Sequence, residues 1–88
     1  MLLKIKRIVD GKHIALRLIG HLCSEHLAEL RSLIEECGPA VVLDLDELTL
    51  VDVDAVNFLR KSQAEGIELR KCSPYIQEWM DREQDREA

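Results

Sequence analysis

The chain reads as one α/β domain with the element order β-β-α-β-α-β-α, built on a four-stranded, mostly parallel sheet whose N-terminal edge is an antiparallel hairpin. Three observations predict it. Apolar and polar residues alternate, imperfectly, on either side of Asp10-Gly11. Apolar residues recur at spacings of three and four from Ser24 to Cys37 and again from Asp52 to Glu65. Between those two stretches lies a nearly continuous apolar run, Ala40-Val41-Val42-Leu43-Asp44-Leu45. Strands that alternate with helices call for parallel pairing through right-handed crossovers, with the helices covering the sheet.

Each element has its own local reason. Leu2 to Val9 and His13 to Ile19 form the hairpin, because Asp10-Gly11 tolerates the positive φ that a tight turn needs. Gly20 ends the second strand. Ser24 is a natural N-cap for the first helix, whose apolar stripe is Leu27, Leu30, Leu33, Ile34 and Cys37, and Gly38-Pro39 stops it. The run 40–45 suits a strand in the middle of the sheet, buried on both faces. Asp52 to Glu65 places Val53, Val56, Phe58 or Leu59, and Ala64 on a helical period, and Gly66 breaks it. Ile67 to Cys72 alternates as a last strand. Ser73-Pro74 then puts a capping hydroxyl before a proline suited to the first turn of a third helix, with Tyr75, Ile76, Trp79 and Met80 as its apolar stripe. The domain is expected over 1–80, with 81–88 as a polar helix end or tail.

Composition narrows the function classes. At 88 residues there is room for one modest core and no second domain. Phe58, Tyr75 and Trp79 are the three aromatics, so Leu, Ile and Val must fill that core. A net charge of −5 without a continuous basic face argues against nucleic acid or an anionic lipid surface as partner. No apolar stretch approaches the roughly 18–20 residues of a membrane span, and Met1-Leu2-Leu3-Lys4 runs into charge rather than a signal-peptide core. Three widely spaced cysteines, Cys23, Cys37 and Cys72, do not suit a disulfide framework. A soluble, cytoplasmic protein with reduced thiols is expected.

The stretch Val41-Val42-Leu43-Asp44-Leu45-Asp46-Glu47-Leu48-Thr49-Leu50-Val51-Asp52-Val53-Asp54-Ala55-Val56-Asn57-Phe58-Leu59 resembles the signature region of the STAS family (sulfate transporter and anti-sigma-factor antagonist). In that family a buried strand ending in Asp-Leu leads to an Asp-Ser-Ser-Gly turn that opens the next helix, and here Asp52-Val53-Asp54-Ala55 stands in those four places. The preceding hairpin and helix, and the following strand Gly66-Ile67-Glu68-Leu69, fit the same topology through Trp79. The family's usual fifth strand and final helix have no match on this resemblance. It implies a non-catalytic regulatory module that binds another protein, such as an anti-sigma-type kinase or a transporter subunit. It also places the phosphoacceptor serine of the family at Val53, which has no hydroxyl. Asp54 follows. Its carboxylate reads either as ordinary helix-start chemistry beside Asp52 or as a partial, permanent imitation of phosphate, one charge against roughly −1.5 to −2.

The expected recognition surface is the loop and helix start carrying Leu48, Thr49, Leu50, Val51, Asp52, Val53, Asp54 and Asn57. Leu48, Leu50 and Val51 are more apolar than a solvated loop requires, so they either plug the core or meet another chain. Alternative roles are a structural subunit or homodimeric accessory domain of a transport complex, pairing an edge strand from Leu3 to Ile8 with a neighbour, and, third, a thiol- or metal-dependent enzyme. For the last, His21, Cys23 and His26 are zinc-type ligands at no familiar spacing, and Asp44, Asp46, Asp52 and Asp54 form an acidic cluster without the glycine and terminal glutamate of a calcium loop. Cys72 precedes a helix start that could activate a thiol, with no His or Asp at a recognisable spacing to make a nucleophilic set. The four glycines fall singly at turns, so no phosphate loop is present. No catalytic residue, metal or cofactor is expected.

Overall fold

The computed structural model describes residues 3–87, with side chains through residue 83 apart from that of Asp10. Leu2 of the expected first strand and Ala88 of the tail lie outside the described residues. Strand β1, Leu3–Asp10, and strand β2, His13–Leu22, pair antiparallel from Leu3↔Gly20 to Asp10↔His13. The turn between them is two residues long, and Gly11 takes φ 60°, the left-handed conformation that glycine adopts without steric cost.

On its other side β2 meets two short strands in succession. Its first half runs parallel to β3, Val41–Asp44, in the register Ile14↔Val41 to Arg17↔Asp44. Its second half runs parallel to β4, Leu48–Val51, with a register slip between Gly20 and His21. Strand β5, Glu68–Arg70, pairs parallel to β3, so the order is β1-β2-β3-β5 with β4 beside β2. The sheet therefore has five strands rather than the four expected from sequence. The additional one, β4, lies in the segment read as loop.

The break between β3 and β4 has a local cause. Asp44 Oδ1 accepts the N–H of Asp46 at 3.0 Å, a side-chain turn that bends the chain out of the sheet, and the Leu48 N–H closes back on the Leu45 carbonyl at 3.1 Å. The Gly20 N–H then donates to the Glu47 carbonyl at 3.1 Å and the Thr49 hydroxyl to the Gly20 carbonyl at 3.0 Å, which recapture the chain as β4. Gly20 has φ 100°, and the slip beside it lets the two strands rejoin.

Three helices follow the strands. A 3-10 turn, Ser24–His26, leads into α1, Leu27–Cys37; α2 is Val53–Ala64; α3 is Pro74–Glu87. The connections β2-α1-β3 and β4-α2-β5 step across the sheet in the same direction. Right-handed crossovers that never reverse put both helices on one face. Burial agrees: Leu16, Leu18, Leu22, Val41, Leu43, Leu48 and Val51 from the strands and Leu45 just after β3 join one core with Leu30 of α1, Ala55, Val56, Phe58 and Leu59 of α2, and Ile76 and Met80 of α3. Each fully buried aliphatic side chain contributes about 1.5–3 kcal/mol of transfer free energy.

Two expectations change. Ser24 does not cap α1: its N–H is itself a donor, and at the entry to α1 the Cys23 N–H donates to His26 Nδ1 at 3.2 Å. Strand β3 is central and buried on both faces, as expected. Val41 and Leu43 enter the core, whereas Val42 and Asp44 turn to the opposite face, where their register neighbours are Ala15 and Arg17 on β2 and Glu68 and Arg70 on β5. Val42 and Asp44 are still nearly covered, at 2% and 8% exposure. The third helix runs farther than its apolar stripe, through Glu87, and Glu83 in its polar end is buried at 8% exposure rather than solvated.

Strand β4 separates its own side chains into two environments, since Leu48 is 4% exposed and Leu50 46%. In urea denaturation Leu48→Ala is expected to cost about 2–5 kcal/mol, the range for emptying a core position. Leu50→Ala should stay within about 0.5 kcal/mol of the parent.

Candidate functional site

The ends of β2 and β4 and the start of α2 meet at one tip of the molecule, and a single carboxylate holds them. Asp52 is the N-cap of α2, with extended backbone at φ −101°. Its Oδ1 accepts the Ala55 N–H at 2.8 Å, and its Oδ2 accepts the N–H of Ser24, the first residue of the 3-10 turn, at 2.9 Å. The Asp52 N–H in turn donates to the Leu22 carbonyl at the end of β2, at 3.3 Å. An ionised acceptor serving two backbone donors at helix starts is the strong form of an N-cap.

The eight residues expected to form a recognition surface divide three ways. Leu48 and Val51 are core side chains. Asp52 is half-buried and committed to the two N–H groups. Thr49, Leu50, Val53 and Asp54 are exposed, and Asn57 is half-buried one turn along α2, where its Oδ1 accepts from Arg60 at 2.9 Å. Leu50 and Val53 are 46% and 43% exposed, the two large apolar side chains that this tip offers to solvent. Val53 occupies the first position of α2, where the chain resembles the phosphoacceptor place of the STAS family, and no hydroxyl is there. Asp54 lies in the first turn, is exposed and has no hydrogen bond or ion pair among the described residues, so its charge faces water and the helix N-terminus.

Two carboxylates of the acidic cluster, those of Asp44 and Asp52, are committed to structural contacts. Asp44 uses Oδ1 on the Asp46 N–H and Oδ2 on Arg17, whose Nε stands 3.4 Å away, and Asp52 uses both oxygens on backbone donors. His26 uses Nδ1 on the Cys23 N–H. Among the described residues no three His, Cys, Asp or Glu side chains are placed to share a metal ion. The thiol of Cys72 is pushed up from its ordinary pKa, first by burial and then by the nearby charge of Asp81, which is opposite in direction to activation. Ser73, the residue after it, caps α3 through its hydroxyl, which accepts the Ile76 N–H at 3.3 Å. Among the described residues no helix is long and apolar enough to cross a membrane.

The bond that builds this tip has no signature in the sequence, because a contact from Asp52 to Ser24 spans 28 positions and leaves no local pattern.

No known family profile matches the chain, and no curated protein matches it. Solved structures do. An uncharacterised protein of the DUF3478 family from Shewanella loihica, described as having a SpoIIAA-like fold, superposes with a TM-score of 0.57 over 98% of this chain and 79% of its own, at 16% identity. A crystallised protein called Mglu superposes with a TM-score of 0.62 over 78% of this chain at 18% identity, and the match spans 20% of that larger protein. The chain thus has a SpoIIAA-like α/β fold, the fold that its resemblance to STAS domains implies.

Two outcomes follow from this geometry. Asp52→Ala, which removes both acceptors, should lower stability by about 2–3 kcal/mol in chemical denaturation, whereas Asp54→Ala should change it by no more than about 1 kcal/mol. At pH 8 Cys72 should alkylate with iodoacetamide more slowly than free cysteine. Because its pKa is raised in the folded state, its contribution to stability is complete below the unfolded thiol pKa and declines as pH rises through the folded one.

Proposed function

We propose that the protein is a non-catalytic interaction module that binds another protein through the tip formed by Thr49, Leu50, Val53, Asp54 and Asn57, in the manner of an anti-sigma-factor-antagonist-like domain. The observation that supports this most directly is the exposure of Leu50 and Val53 on a backbone anchored by Asp52. Rigid, solvent-facing aliphatic side chains at a helix start offer a partner apolar contact with little ordering cost. The SpoIIAA-like fold supports the class of module; the partner, an anti-sigma-type kinase or transporter subunit by resemblance, is part of the proposal.

Regulation by phosphate at the family's usual position has no acceptor in this chain, so the module is constitutive there. The committed oxygens of Asp44 and Asp52 and the raised thiol pKa of Cys72 support a non-enzymatic reading. A structural role is the second reading, favoured by one feature: β1 is an eight-residue strand with one unpaired edge. Against self-pairing of that edge, an antiparallel register centred on Ile5 would set Lys4 opposite Lys6 of the second copy.

The tip is tested by comparing partners captured by the parent and by Leu50→Asp/Val53→Lys, with circular dichroism showing that the variant folds. Loss of partners held by the parent is the expected result; retention of all of them overturns the surface. In sedimentation across a range of concentrations, the protein should run as a single species near 10.1 kDa. A larger, concentration-dependent mass would favour the structural reading.

A further inference from the structure

Among the described residues no helix packs on the face of the sheet opposite α1, α2 and α3, although Val42 and Asp44 at its centre are only 2% and 8% exposed between their strand neighbours. Parallel sheets ordinarily have both faces covered by helices, because crossovers that reverse direction place helices on each side. Here the crossovers do not reverse, and among the described residues no helix lies on the second face.

That face is organised in rows by the strand register. Ile8, Ala15 and Val42 stand abreast on β1, β2 and β3; beside them Lys6, Arg17, Asp44 and Arg70 stand abreast on β1, β2, β3 and β5; Lys4 and Ile19 make the next pair. Three strands spaced about 4.8 Å apart give a strip about 10 Å across, the width of one helix. Ile8 is 38% exposed, and Ala15 and Ile19 are partly exposed.

The charge of this face is opposite to that of the whole molecule. Among its described side chains, the carboxylates of Asp44 and Glu68 each pair with an arginine, Arg17 and Arg70 respectively. Lys4 and Lys6 have no such partner among the described residues, on a chain whose net charge is −5. A second copy of the same face would oppose cation to cation.

We propose that the helix-free face of the sheet is a docking surface for an amphipathic helix of another protein, one that carries carboxylates beside an aliphatic stripe. The stripe lies along the Ile8, Ala15 and Ile19 side chains, and its flanking carboxylates meet Lys4 and Lys6. This surface is separate from the tip at Val53.

The test uses the full chain, labelled with nitrogen-15, and two synthetic helical peptides of about 18 residues that share a Leu/Ala stripe and differ in bearing Glu or Lys on its flanks. The Glu peptide should shift the amides of Ile8, Ala15, Arg17 and Ile19, and should bind at least about tenfold more tightly than the Lys peptide. Lys4→Glu/Lys6→Glu should weaken the Glu peptide by about tenfold, and Val53→Lys should leave it unchanged. The inference is overturned if neither peptide binds at millimolar concentration, if the two bind equally, or if the shifts fall on α2 and α3. It is also overturned if phosphatidylserine vesicles perturb this face and the Glu peptide does not.

Discussion

Two backbone N–H groups from different parts of the chain, those of Ser24 and Ala55, converge on the carboxylate of Asp52, and the tip where β2, β4 and α2 meet depends on that convergence. Each belongs to the start of a helical segment, where backbone donors have no partner within the helix. An ionised carboxylate satisfies both at once and fixes the entry to α1 relative to the entry to α2. Because the Asp52 N–H is also tied to the Leu22 carbonyl, the same residue joins both helix starts to the end of β2.

The rest of the tip follows from that anchor. With the chain fixed at Asp52 and at the Asp44 side-chain turn, the four residues of β4 have one placement. Leu48 and Val51 fall into the core, and Thr49 and Leu50 fall outside it. Val53 and Asp54 then begin α2 on the solvent side. Aliphatic and acidic side chains are thereby presented on a rigid backbone without any of them being needed to hold it. Holding residues are thereby separated from presenting residues, and two of the four carboxylates that looked available for metal binding, those of Asp44 and Asp52, are already engaged.

Much of the fold was legible because its signals are local. Gly11 at the hairpin turn, Ser73-Pro74 at the start of α3 and the three-and-four spacing of Leu27, Leu30 and Ile34 all act through neighbours a few positions away. What was not legible acts at long range or breaks a period. Strand β4 is four residues long, and its burial runs in, out, out, in, because the slip at Gly20 and His21 breaks the alternation. Ser24 has the chemistry of a cap and is instead a donor to Asp52. The unbroken apolar run at β3 pointed to burial on both faces, which the structure has, but not to what buries the second one. Its second face is buried within a row of strand neighbours, with Ala15, Arg17, Glu68 and Arg70 beside Val42 and Asp44. The candidate site was legible as a place, and its division into core and surface residues needed the structure.

Native-state hydrogen exchange at the Ser24 and Ala55 amides tests the anchor most directly. Both should be protected in the parent, and both should lose protection together in Asp52→Ala while the amides of β2 and β3 keep theirs. A Ser24 amide that exchanges in the parent at the rate of an unstructured chain would contradict the account, since the tip would then lack the bond that shapes it.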